Sequence, residues 1–211
     1  MKLRQPVSGM THLIGALFSI AGLIWLLVVS IQSRTAWHVA SFAVFGASMI
    51  LLYLASALYH LLPVSERWVA RLRRVDHSMI YVFIAGCYTP ICLVTLRSGW
   101  GWGVFGAIWG VAAVGVVIKW IRAENSRWLT IGPFLIMSWL GILLLPTLWD
   151  VLPSGGIFWL AMGGAFYTVG SLIYALKRPD PMPSVFGFHE IWHLFVLGGS
   201  ACHFLVMTKI V

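Results

Sequence analysis

His189, Glu190, Ile191, Trp192 and His193 open the last apolar segment of the chain. Histidines four residues apart lie about 40° from each other around a helix and roughly 6 Å apart along it, so both imidazoles face one interior point. That arrangement suits a metal, because imidazole is the commonest metal ligand among side chains and ionisable groups inside a membrane point to function. Two ligands from one helix do not complete a site. The remaining donors must come from other segments, and the elements that carry them decide whether they can meet.

With 60% hydrophobic and 9% charged residues among 211, the chain lies far from the soluble range, where charged residues make up about a quarter. Reading stretches of about 20 apolar residues as spans places helices at 10–31, 38–62, 76–96, 100–120, 129–149, 156–176 and 187–208. The alternating pattern of a closed barrel is absent from runs such as Ile14 to Ile31, which leaves helices as the spanning form. The expected fold class is an all-α membrane protein, a seven-transmembrane helix bundle in one domain over residues 1–211. Its longest connections, Pro63 to Val75 and Lys177 to Phe186, are too short for a soluble domain. The first apolar stretch is longer than the core of a signal peptide, lacks a small-residue cleavage site at the right distance, and is expected to stay.

A net charge of +8 raises nucleic acid as a partner, but the positions of the basic residues argue otherwise. Lys2, Arg4, Arg67, Arg71, Arg73, Arg74, Lys119, Arg122, Arg127, Lys177 and Arg178 fall at one set of span ends, against Arg34, Arg97 and Lys209 at the other. This is the positive-inside asymmetry, and it predicts a cytoplasmic amino terminus and an outside carboxyl terminus. Membrane lipids are the expected partners, since anionic headgroups attract such residues by about 1 kcal/mol each. No nucleic-acid partner is expected, and the oligomeric state is open.

Trp37, Trp100, Trp102, Trp128 and Trp149 sit near span ends, where amphipathic rings prefer the headgroup region. Cys87, Cys92 and Cys202 fall within spans without paired spacing and are assigned to packing, with no disulfide. Glycines in span 4 (Gly103, Gly106, Gly110), span 6 (Gly163, Gly164, Gly170) and span 7 (Gly198, Gly199) are read as close helix contacts rather than a pore lining. Pro90, Pro133 and Pro146 are expected to kink their spans. No internal repeat of the transporter kind is evident.

Topology then sorts the polar residues. Span 2 runs toward the basic end, so His60 lies near that face with Ser56 one turn deeper on nearly the same side. Span 3 starts there with Asp76, and span 7 starts there with His189 and His193. Three histidines and one open position is a familiar catalytic zinc arrangement, in which the metal lowers the pKa of its water to about 7. The preferred ligands are His60, His189 and His193. Asp76 can orient or deprotonate the water or donate a carboxylate directly, and Ser56 can hydrogen-bond behind them. The alternative is a metal-free polar network between helices.

His189 to His193 also fits the pattern H-E-x-x-H of zinc proteases. No Asp or Glu follows Glu190, and the extended form of that motif would need Gly at Val196 and His at Gly199, so the protease reading fails. Glu190 is explained instead by the positive end of the helix dipole. His203, some 15 Å farther along the helix than His193, cannot share the metal and is expected to be a buried, hydrogen-bonded histidine. His77 and His38 are read as interfacial, and His12 as either interfacial or supporting the site.

The segments Ser56 to His60, Asp76 to Pro90 (DHSMIYVFIAGCYTP) and His189 to Phe204 (HEIWHLFVLGGSACHF), with Thr11 and His12 before them, resemble the signature regions of bacterial hemolysin III proteins. These belong to the wider progestin and adipoQ receptor family, which includes the adiponectin receptors. The resemblance implies a seven-helix bundle of the bacterial inner (cell) membrane, zinc held by His60, His189 and His193, and Asp76 and Ser56 beside the metal and its water. It also implies a link to alkaline ceramidases and to membrane-lipid homeostasis. Two departures stand out. Many relatives carry Glu where this chain has Gln5, so a role for that carboxylate cannot operate here, and non-acidic residues are tolerated at the position of Glu190. The expected function is a zinc-dependent lipid amide or ester hydrolase; the alternative is a nonenzymatic cytolytic or regulatory protein in which zinc is structural.

Overall fold

A computed structural model describes residues 3–121, 127–183 and 185–211. Lys2 and Arg122, counted above among the basic residues, lie outside the described residues, as do the side chains of Arg127 and Trp128. The described helices are α1 (Pro6–Ser33), α2 (Ala36–Leu61), α3 (Glu66–Pro90), α4 (Gly99–Ile121), α5 (Arg127–Trp139), α6 (Leu145–Val151), α7 (Ser154–Leu176) and α8 (Phe188–Ile210). A π turn, Ile91–Thr95, prolongs α3, and a 3-10 turn, Leu140–Leu144, joins α5 to α6. Together they make seven helical segments long and apolar enough to cross a membrane. Phe18, Ile31 and Ile121 are 74%, 70% and 76% exposed, so the outside of the bundle is apolar, as a surface facing lipid chains must be.

Neighbours in sequence pack together, α1 on α2, α2 on α3, α3 on α4 and α7 on α8, while α8 returns to α1 and α3, and α5 lies against α3 and α7. One apolar core, around Phe42, Phe45, Phe83, Val196 and Val206, joins α1, α2, α3 and α8. A second, around Tyr81, Ile108, Phe134, Met137 and Leu148, joins α3, α4 and the α5–α6 span. The free cysteines Cys87, Cys92 and Cys202 are buried in this packing.

Three local features depart from the sequence expectation. First, α3 begins at Glu66 rather than near Asp76. The segment is too charged to score as a span, yet Val69 and Leu72 are half-buried while Arg67, Arg71 and Arg73 are exposed, an amphipathic turn pattern that continues the helix. Second, Lys119 belongs to the last turn of α4, where it is buried and its ammonium stands 5.5 Å from the Phe134 ring centre. Third, Gly103, Gly106 and Gly110 of α4 and Gly164 of α7 have no described side chain or neighbouring main chain within 4 Å of where a Cβ would stand, whereas Gly163 and Gly170 of α7 and Gly198 and Gly199 of α8 do meet side chains of the facing helix. The reason is position: α4 sits at the periphery and turns Ile108, Ala112 and Gly115 inward instead.

Two of the three span prolines mark a break in the helical ladder: Pro90 precedes the π turn and Pro146 follows the 3-10 turn, whereas Pro133 lies inside the continuous α5. The Tyr88 hydroxyl donates to the carbonyls of Met137 and Ser138, 3.0 Å each, which gives partners to main-chain oxygens at the edge of that interruption.

The turn from α3 into α4 depends on Gly101. A methyl group there would stand 2.0 Å from the Leu96 carbonyl oxygen and 2.5 Å from that of Cys92, and main chain cannot swing aside. Gly101→Ala is expected to lower stability by about 1–3 kcal/mol, seen as a fall in thermal midpoint in detergent. Gly106→Ala, facing open space, should leave the midpoint unchanged or raise it; equal falls for both would refute this account.

Candidate metal centre

The start of α8 is fixed by two carboxylates. Glu190 Oε2 accepts the Gly187 N–H (2.8 Å) and Asp180 Oδ1 accepts the Phe188 N–H (3.2 Å), satisfying donors that the first turn leaves without partners. His189 and His193 therefore occupy the first two turns, one above the other. His60 comes to them from the last turn of α2.

The ligand-capable atoms of His60, His189 and His193 all lie within 4.8 Å of one another. Ring centres are 5.0 Å apart for His60 and His189, 4.9 Å for His60 and His193, and 4.8 Å for His189 and His193. The Nε2 atoms of His60 and His189 are separated by 3.3 Å. His60 and His193 are buried at 1% and 2% exposure, and His189 is half-buried.

The remote ring nitrogens show which atoms are available. His193 Nδ1 lies 3.1 Å from the Ser8 carbonyl oxygen. A carbonyl only accepts, so Nδ1 carries the proton and Nε2 keeps its lone pair. His60 Nδ1 stands 2.5 Å from Gln5 Oε1 and is held in the same tautomer. Three imidazoles converging among apolar side chains, two of them oriented by a hydrogen bond at the far nitrogen, form a donor set that fits a divalent metal ion.

Ser56 and Asp76 line the cavity shared with His189 and His193. Ser56 is buried one turn before His60, and its hydroxyl hydrogen-bonds the Asp76 carboxyl. No Asp76 oxygen belongs to the tight cluster of ligand atoms, so the carboxylate stands beside the histidines rather than among them. Glu190 is committed elsewhere: its Oε1 accepts a short hydrogen bond from the Ser8 hydroxyl and its Oε2 caps α8.

The other histidines take different places. His77, read from the sequence as interfacial, lines the same cavity as Asp76. The inward face of α3 is wide, taking in Asp76, His77, Ile80, Phe83 and Ile84, the i, i+1, i+4, i+7, i+8 set of a broad helical stripe. His12 is buried and stacks on His193 with ring centres 3.7 Å apart and planes 13° from parallel. Neither His12 ring nitrogen has a hydrogen-bond partner among the described residues. His203 lies outside the cluster, stacked on Tyr167 at 5.6 Å, and its Nδ1 is buried with no hydrogen bond to a described residue. Gly163 leaves room for that ring on α7.

A cavity of about 80 Å³ opens from the histidines between α3, α5, α7 and α8. A second, of about 220 Å³, adjoins it, sharing Phe83, Ile84, Leu135, Ser138 and Tyr167, and reaches His203. Sequence reasoning marked Gln5 only as a departure from relatives that carry Glu there, gave it no part in the centre, and missed Ser8 altogether. The contacts run between residues 55 and 185 positions apart.

The chain matches the sequence model of a family described as "Haemolysin-III related" over residues 2–204. It is 40% identical over 202 residues to Hemolysin-3 of Bacillus cereus, covering 95% of this chain and 88% of that protein. It is 38% identical over 200 residues to the Hemolysin-3 homolog of Bacillus subtilis (strain 168), covering 95% and 91%. A more distant likeness, 26% over 188 residues, covers 84% of this chain and 73% of the human monocyte to macrophage differentiation factor. Taken with the apolar spans, these relatives make the chain a multi-pass integral protein of a bacterial cell membrane and a member of the haemolysin-III-related family.

Proposed function

We propose that this protein is a zinc-dependent hydrolase of lipid amide or ester bonds, working at the basic end of the bundle, which is read as cytoplasmic, in the upkeep of membrane lipids. The observation that carries this reading is the cavity lined by His189 and His193 of the three-histidine cluster, next to a second, mostly apolar cavity with which it shares Phe83, Ile84, Leu135, Ser138 and Tyr167. A structural metal needs no such approach. His60, His189 and His193 would hold the ion, which when bound supplies a Lewis acid and an acidified water.

The protein's own groups do the rest. The apolar walls take up an acyl chain and exclude bulk water from the reacting bond. Asp76, held by Ser56, accepts a proton from the attacking water. The water oxygen bonds to the carbonyl carbon, the C–N or C–O bond breaks, and the proton passes from Asp76 to the leaving amine or alcohol.

A second reading, cytolysis with a purely structural metal, draws on the printed name Hemolysin-3 of the Bacillus cereus relative. It is favoured by the way the histidines tie α2 to α8.

Purified wild type should contain stoichiometric zinc by elemental analysis. Alanine at His60, His189 or His193 should abolish it, and alanine at His203 should not. Zinc retained by the His189→Ala, His193→Ala double variant would refute the ligand set.

Incubated with a panel of ceramides and phospholipids, the zinc-loaded protein should release free fatty acid, and Asp76→Ala should slow release by about 10²–10⁴-fold. Equal release from Asp76→Ala removes its proton role. Release from no lipid, together with lysis of protein-free liposomes by the purified chain, would decide for the cytolytic reading.

A further inference from the structure

We propose that Gln5 is a positioning residue of the metal centre: its side-chain amide, delivered by the segment ahead of α1, holds His60 in the tautomer and orientation that present Nε2 to the ion. This rests on the reading of the three histidines as a metal site.

The main chain at Gln5 is docked independently of its side chain. Its N–H donates to the carbonyl of His60 itself (2.9 Å), and its carbonyl accepts from the Gly9 N–H (3.1 Å). Next to it, the Arg4 guanidinium donates to the Tyr59 carbonyl (2.6 Å) and lies 4.5 Å over the Tyr59 ring. These contacts occupy the last carbonyls of α2, which the helix itself cannot satisfy. The side chain meets His60 Nδ1 through its Oε1, at 2.5 Å.

The same segment backs a second ligand from another helix. Ser8 offers its carbonyl to His193 Nδ1 and its hydroxyl to Glu190. The first turn of α1 thus clasps α2 and α8 through the far side of two metal-facing imidazoles. An amide oxygen is a neutral acceptor, whereas a carboxylate in its place would form a charge-assisted bond and make the ring a stronger donor to metal. Ligand strength in this centre is therefore set from position 5, outside the set of residues that touch the ion.

The test compares zinc affinity of the full-length wild type, Gln5→Leu and Gln5→Glu in detergent, by competition with a chromophoric chelator, alongside the thermal midpoint of each metal-free protein. Gln5→Leu should bind about 10–100-fold more weakly with a metal-free midpoint close to wild type, and Gln5→Glu should bind more tightly than wild type. In the cobalt-substituted proteins, the visible absorption bands should move between wild type and Gln5→Glu. Wild-type affinity in Gln5→Leu, or equal losses in both variants, would overturn the proposal. Should Gln5→Leu not fold, Gln5→Glu decides alone: tighter binding with moved bands supports it, and equal or weaker binding overturns it. A wild type that takes up no stoichiometric zinc refutes the metal centre itself, a separate failure.

Discussion

An imidazole has two nitrogens, and inside an apolar helix bundle each one that lacks a partner carries a cost. This constraint organises the basic end of the molecule. At His60 and His193 one nitrogen is hydrogen-bonded to the segment around Pro6, so the other must be satisfied from within the cluster. Leaving buried polar atoms without partners costs about 1–3 kcal/mol each. The three rings lie close enough to hold a metal ion, and an ion so held would remove that cost.

The bundle is built to make this meeting possible. Glu190 and Asp180 fix where α8 starts, Gln5 and Arg4 close the end of α2, and Ser8 links α1 to both His193 and Glu190. Each contact belongs to a helix terminus, where main-chain groups are unsatisfied and polar side chains are cheapest to place. The polar chemistry is therefore concentrated at one end, and the remaining length of each helix is free to pack apolar side chains or to face lipid.

The cavity follows from the same economy. The α5–α6 span is interrupted by a 3-10 turn, and Tyr88 reaches across from α3 to the carbonyls beside it. Beside this broken span lie two neighbouring cavities, one lined by His189 and His193 and the other by His203. Their walls are mostly apolar, with Asp76, Ser56 and His77 lining the one that holds the histidine pair. A lipid chain with a hydrolysable group at one end has the matching distribution of polarity.

Spans, fold class and the three histidines were legible in the sequence, because a bilayer demands long apolar runs and because a 3.6-residue period puts His189 and His193 on one face. Alternation of spans across the membrane placed Ser56, His60 and Asp76 at their depth. What tertiary structure decided was everything that depends on rotation and on main-chain partners. His12 stacks on His193 and His77 faces the cavity because the helices turn them there, and no spacing rule sets the rotation of one helix against another. The α4 glycines proved peripheral for the same reason. Gln5 supports the site through its side-chain amide and Ser8 through a backbone carbonyl. Every residue has the carbonyl, and a lone glutamine carries no mark of its partner, so only the folded arrangement, bringing α1 against α2 and α8, could assign them that role.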